Sequence, residues 1–168
     1  MAGVTITSIQ EGLGTKKVAR AMPNLPAQLG KGMTGFTGAK ELTEKELKQV
    51  QKLLATTGKA MWVSSEPSID AVTGISGSGP AYVFYFMQGM IDAALQMGFN
   101  EAEAKEMVSQ TFEGAVAQFK ESNDSLLTWM NRVASKGGTT RAALDSFDKN
   151  NVNQLIQEGA FAAQNRAI

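Results

Sequence analysis

The chain contains no cysteine and no histidine. Without cysteine, disulfides, thiolate nucleophiles and cysteine-ligated metals are excluded. Without histidine, serine–histidine hydrolysis, most zinc sites and the commonest general base are excluded as well, so no metal site is expected. Proline is scarce, with four in 168 residues. Net charge is lacking too, since sixteen basic residues balance sixteen acidic ones. A nucleic-acid binder normally shows a basic excess on some stretch. The mixed charges on Lys40–Lys52 and Glu101–Lys120 read instead as solvated surface, so no nucleic-acid partner is expected. No run approaches the ~18 consecutive apolar residues of a membrane span. The nearest, Ala81–Met97, is broken by Gln88, Asp92 and Gln96. Met1–Ile9 lacks a basic segment followed by a long apolar core, so it does not read as a signal peptide. A soluble protein with no membrane partner follows, and the absence of cysteine suits a reducing cytoplasm.

What is present divides in two. The first third alternates short helices and strands. Val4–Leu13 reads as the end of a helical unit stopped by Gly14. Lys17–Met22 and Met33–Thr37 read as strands. Thr43-Glu-Lys-Glu46 is a capping box opening a helix with Leu47, Val50 and Leu54 on one face and Gly58 at its end. Ala60–Ser64 reads as a further strand. A parallel sheet needs both faces covered, and these elements are too few to do so, which makes the start look truncated.

From Glu66 onward the pattern is helical throughout. Ser68–Ile75 predicts a short helix broken by Ser76-Gly-Ser-Gly-Pro80. The next helix, Pro80–Met97, stops at Gly98. Its polar residues Gln88, Asp92 and Gln96 form one narrow i, i+4, i+8 stripe, and Tyr82, Val83, Phe84, Phe86, Met87, Met90, Ile91 and Leu95 fill the rest. A helix apolar on nearly every side must be buried on nearly every side. A second copy is the expected source of cover; a core helix wrapped by its own neighbours is the alternative. Asn100 and Glu103 cap another helix, with Ala104, Met107, Val108, Thr111, Ala115 and Phe119 at helical spacing. Ser125–Ala134, Arg141–Phe147 and Asn151–Ala167 complete the set.

Three segments stand out as candidates for chemistry. In Ser76–Pro80 the glycines at 77 and 79 permit positive φ and close approach to the backbone, and the unpaired N–H groups of a helix start favour a carboxylate or phosphate. The same segment, taken alone, reads more readily as a tight turn with Ser78 as cap. In Ser135–Thr140, Gly137 and Gly138 between hydroxyl residues, just before a helix, suit a backbone nest for a small anion. Lys136 adds charge there or points to solvent, and a threonine-capped turn is the plainer reading. Arg20-Ala-Met-Pro-Asn-Leu-Pro26 is a strand end entering a stiff loop. Ligands of open α/β sheets sit beyond such ends, which makes Met22 and Asn24 candidate contacts, and a rigid connector is the alternative.

In this order and spacing, Arg20–Ala27, Asp70–Tyr82 and Val133–Thr140 closely resemble pyrroline-5-carboxylate reductase, over nearly the whole chain. The resemblance implies a mainly α fold, a helical dimerisation domain of the 6-phosphogluconate-dehydrogenase-like C-terminal type preceded by a remnant of an α/β Rossmann domain. Residues 1–64 would be the remnant and 65–168 the substrate-binding and dimerisation domain. Members reduce 1-pyrroline-5-carboxylate to L-proline with NADH or NADPH, the last step of proline biosynthesis, as homodimers that often assemble into decamers. The resemblance gives Ser135, Gly137, Gly138, Thr139 and Thr140 the substrate carboxylate. Gly77, Ser78 and Gly79 would shape the pocket, completed across the dimer. Met22 and Asn24 would lie at the nicotinamide end of the cofactor. A hydroxyl or carboxylate could assist at the ring nitrogen, with Glu66, Tyr85 and Thr140 as candidates.

Three departures from the family's pattern matter. Leu25 stands where the family usually has threonine, and Lys136 where it usually has proline. The third is the absence of a Gly-x-Gly-x-x-Gly turn for the cofactor pyrophosphate: Gly12-Leu-Gly14 has no strand before it and no third glycine. These residues alone are therefore expected to be inactive and to bind NAD(P)H weakly or not at all. The rival expectation is a non-catalytic dimerising or small-anion-binding module, or a divergent paralogue lacking the cofactor site.

Overall fold

The structure is a computed structural model that describes residues 2–168. The chain divides into two compact units: one runs up to Tyr82 and includes Gln157–Ile168, and the other is Val83–Ile156.

In the first unit, helix α1 (Ile6–Leu13) is capped by Thr5, whose side chain accepts from the Ser8 N–H, and ends at Gly14 in the left-handed region. Three strands follow, β1 (Ala19–Met22), β2 (Gly32–Gly38) and β3 (Gly58–Trp62). They are ordered β1-β2-β3, with β1 antiparallel and β3 parallel to β2. Helix α2 (Glu44–Leu54) makes the crossover that a parallel pair requires. It opens on the expected capping box, both Thr43 and Glu46 making their bonds. Phe36 on central β2 is fully buried and meets Trp62 edge-on at 5.5 Å. Helix α3 (Glu66–Val72) adds Ile69 and Val72 to this core.

Several expected boundaries shift, and two of the shifts have a visible cause. The last strand begins at Gly58 rather than Ala60, because the chain leaves α2 by a 3-10 turn over Ala55–Thr57 and pairs at once with Gly32. Helix α3 begins two residues early, since Ser65 is extended and Pro67 suits a first turn. The charges are also less evenly spread than expected: residues 1–64 carry nine basic and four acidic side chains, against seven and twelve in 65–168.

The second unit is helical. It contains most of α4 (Gly79–Gln96), then α5 (Glu101–Lys120), α6 (Leu126–Val133) and α7 (Thr139–Lys149), and leads into α8 (Val152–Ala167). Helix α5 carries the Asn100–Glu103 capping box. Within one chain these helices bury little: Ala94 on α4, with Ala104 and Val108 on α5. Tyr85 is 83% exposed and Phe84 57%, so α4 lacks the cover its composition demands. Among the described residues, no helix is long and apolar enough to cross a membrane.

Candidate functional site

Ser76–Pro80 does not break the helical path as the sequence suggested. Helix α3 continues into one π-helical turn, Thr73–Gly77, and the chain passes almost directly into α4. Neither Gly77 nor Gly79 has positive φ, so the left-handed geometry expected there is not used. At Gly77 the constraint is proximity: a Cβ there would lie 3.0 Å from Cε of Met22, whereas one on Gly79 would meet nothing within 4 Å. Gly74 is tighter still, with its Cβ position 2.9 Å from the Ala160 carbonyl oxygen on α8.

The π-turn rearranges the backbone acceptors in a traceable way. The Ser78 N–H donates to the Thr73 carbonyl at 2.9 Å, five residues back. In an α-helix that N–H would have gone to Gly74. The Gly74 carbonyl accepts from the Tyr82 hydroxyl instead, at 3.0 Å. Two residues on, Pro80 has no N–H to give the carbonyl of Ser76. That acceptor is taken by the Asn24 side-chain amide, Nδ2 donating at 3.0 Å. The other end of the same amide, Oδ1, accepts from the Met33 N–H at 2.9 Å. Pro80 thus frees the carbonyl that ties the end of β1 to the turn. Sequence reading found both segments and missed the bond between them, because an acceptor exposed by a missing donor leaves no residue pattern.

Met22, Asn24, Ser76 and Gly77 therefore meet within the first unit. Glu66 lies on the same side of β1, and its Oε1 is already engaged: it accepts from the Ile6 N–H at 2.8 Å and pairs with Arg20 at 3.2 Å. These bonds suit an anchor better than a proton donor. Tyr85, exposed in the second turn of α4, belongs to the other unit, as does Thr140.

The Ser135–Thr140 loop, wholly within the second unit, has a different character. Ser135 and Gly138 close a turn, the Gly138 N–H donating to the Ser135 carbonyl at 3.0 Å. Gly137 sits at φ 73°, a conformation that costs any other residue steric energy. Gly138 is the N-cap of α7, extended and without a side-chain cap bond, and the first turn of α7 carries no acidic residue. Helices α1, α2, α5 and α6 all have such a cap bond. The start of α7 therefore presents N–H donors and positive dipole without an internal anion, which is the arrangement that takes a carboxylate. Lys136 is exposed beside it.

The Gly12–Gly14 segment does not fit the pyrophosphate of a dinucleotide. The glycines at 12 and 14 end α1, and a helix C-terminus presents carbonyl oxygens and the negative end of the dipole. A phosphate needs the opposite end.

Comparison with known proteins gives one consistent result. Residues 66–168 match the family model described as "Pyrroline-5-carboxylate reductase dimerisation". A curated pyrroline-5-carboxylate reductase from Pseudomonas aeruginosa is 37% identical over 167 residues, covering 99% of this chain and 61% of the relative. The enzyme of the same name from Haemophilus influenzae is 39% identical over 153 residues, 90% of this chain and 56% of its own. The chain thus spans about three fifths of the length of the curated relatives it matches. Among solved structures, a pyrroline-5-carboxylate reductase from Coxiella burnetii superposes with a TM-score of 0.93 at 34% identity, covering 99% of this chain and 62% of that one. A Plasmodium falciparum pyrroline carboxylate reductase, crystallised with NADP bound, gives a TM-score of 0.90 at 29% identity, covering 99% and 67%. With the family match over all of α3–α8 and the same likeness in sequence and structure, the chain belongs to the pyrroline-5-carboxylate reductase family.

Proposed function

We propose that the chain serves the NAD(P)H-dependent reduction of 1-pyrroline-5-carboxylate to L-proline, as the substrate-binding and dimerising portion of such a reductase in the cytoplasm. The observation that carries this reading is the bare N-terminus of α7, where a glycine-shaped loop leaves backbone donors without an internal carboxylate. Ser135, Gly137, Gly138, Thr139 and Thr140 hold the substrate carboxylate there. Met22 and Asn24 stand at the nicotinamide end of the cofactor, whose chemistry is hydride donation. Gly77, Ser78 and Gly79 shape the wall beside them.

The chain needs no histidine or cysteine for this work. A protonated cyclic imine already accepts hydride, so orientation supplies most of the rate. Residues 1–64 form the last part of a dinucleotide-binding domain, and residues 65–168 pair with a second copy through the apolar faces of the helices. The exposed length of α4 supports that pairing.

Calorimetry of L-proline against the chain tests the carboxylate loop, with weak, saturable binding expected and no heat at millimolar ligand counting against it. Light scattering at micromolar concentration tests pairing, and a monomeric mass defeats it. A second reading, a dimerising carboxylate-binding module without catalysis, is favoured by the helix C-terminus at Gly12–Gly14. NADPH oxidation with pyrroline-5-carboxylate tests the second reading alone. We expect no turnover from these residues alone, and turnover would remove the second reading.

A further inference from the structure

Alternate residues of β1 and its continuation all engage one segment. Arg20, Met22 and Asn24 have the period-two spacing that puts side chains on one face of a strand. Arg20 donates to Glu66 at 3.2 Å and to Asp70 at 2.9 Å. Met22 packs at Gly77, and Asn24 donates to the Ser76 carbonyl. Three successive rungs thus bind β1 to α3 and the π-turn.

The first rung is unlike the others. Arg20 is only 4% exposed, and its Nε is buried without a hydrogen-bond partner among the described residues. One guanidinium faces two carboxylates, and Glu66 is shared with the Ile6 N–H. As a source of stability this is a poor arrangement, since the desolvation of three charges offsets much of their attraction, and an apolar replacement of similar volume often does as well. What an apolar contact cannot give is direction. A planar guanidinium gripping Glu66 and Asp70, one turn of α3 apart, fixes both the axial position and the rotation of that helix. Four residues beyond Asp70 the π-turn backbone meets α8 at Gly74, and Gly77 follows against Met22.

We propose that Arg20 is a positioning residue: through Glu66 and Asp70 it sets the register of α3, and thereby holds Ser76 and Gly77 against Asn24 and Met22. The proposal rests on the reading of the β1 end as the nicotinamide side of a reductase site, but its physical content is a coupling that can be measured without turnover.

Amide hydrogen exchange by NMR on the whole chain reads that coupling. The Met33 N–H, bonded to Asn24, and the Ser78 N–H, which closes the π-turn, report the remote rungs. The Ile6 N–H reports the Arg20 cluster itself, and the Val63 N–H, bonded to Phe36, reports the sheet. In Arg20→Met, Met33 and Ser78 should exchange about three- to tenfold faster, a change of the size one hydrogen bond makes, while Val63 keeps its rate. Arg20→Lys, able to reach one carboxylate at a time, should fall between. Arg20→Met leaves two carboxylates without their cation, so the triple variant R20M/E66Q/D70N, which neutralises the whole cluster, serves if the single variant does not fold. The same acceleration at Met33 and Ser78 is expected in it. Wild-type rates at both, with Ile6 alone altered, overturn the proposal, and so does an equal rise at Val63. Failure of the unaltered chain to bind proline would remove the reductase reading and leave these outcomes standing.

Discussion

Ser76–Pro80 and Ser135–Thr140 look alike as strings, each a serine–glycine segment opening a helix, yet the structure uses them in opposite ways. The first is closed. Its freed Ser76 carbonyl is taken by Asn24 and its Gly77 makes room for Met22, while the adjoining Gly74 gives its carbonyl to Tyr82 and makes room for the backbone of α8. The second is open, with one glycine in the left-handed region and a helix start that no side chain caps. Glycine serves proximity at Gly74 and Gly77 and left-handed conformation at Gly137. A closed turn can transmit position, whereas an open one can receive a ligand.

The sharpest way to break this comparison is at Gly74. An added Cβ would stand 2.9 Å from the Ala160 carbonyl oxygen and 3.2 Å from the Gln164 nitrogen. Both are backbone atoms of α8 and cannot turn aside, so Gly74→Ala should destabilise the first unit by about 2–3 kcal/mol, in the range of overpacking. Gly77→Ala is its control. There the nearest atom is the flexible end of Met22, and a loss below about 1 kcal/mol is expected. Urea unfolding of the two variants gives the difference. Equal losses would mean that the π-turn is not held as described.

Gly137 supplies the opposite case. Nothing lies within 4 Å of its Cβ position, but its φ is 73°. Gly137→Ala should therefore cost about 1–2 kcal/mol through conformation alone. It should also weaken proline binding by about tenfold or more, as the donors of α7 lose their arrangement. Stability lost without loss of binding would show that the loop is a turn and nothing further.

Much of this was legible in the sequence because its causes are local. The capping boxes at Thr43–Glu46 and Asn100–Glu103 and the stop at Gly14 are set by neighbours within a few residues. The apolar girth of α4 gave the need for cover. What could not be read are effects of distant backbone on local geometry. The π-turn depends on Tyr82 and Asn24 taking displaced carbonyls, and the buried Arg20 depends on acids 46 and 50 residues away. The early start of β3 depends on Gly32, 26 residues back. A serine–glycine string carries no mark of which atoms will approach it.

The smallest effect separates a filled helix start from the empty one. At α2, Lys17 and the backbone and side chain of Thr43 hold the Glu46 carboxyl down from 4.5 to about 2. A folded-state value below the unfolded one means that the contribution is present above about pH 4.5 and is lost as pH falls towards 2. Glu46→Gln should flatten the pH dependence of stability in that window, and Thr43→Ala should lower stability by about 1 kcal/mol where Glu46 is ionised. Ser135–Thr140 contains no carboxylate, nor does the first turn of α7. Over the same window the open loop therefore has nothing of its own to protonate, and any loss of proline binding there should track the ligand's carboxyl, unchanged in Glu46→Gln. A binding curve that moved with the Glu46 variant would instead tie the open loop to the closed region of the chain.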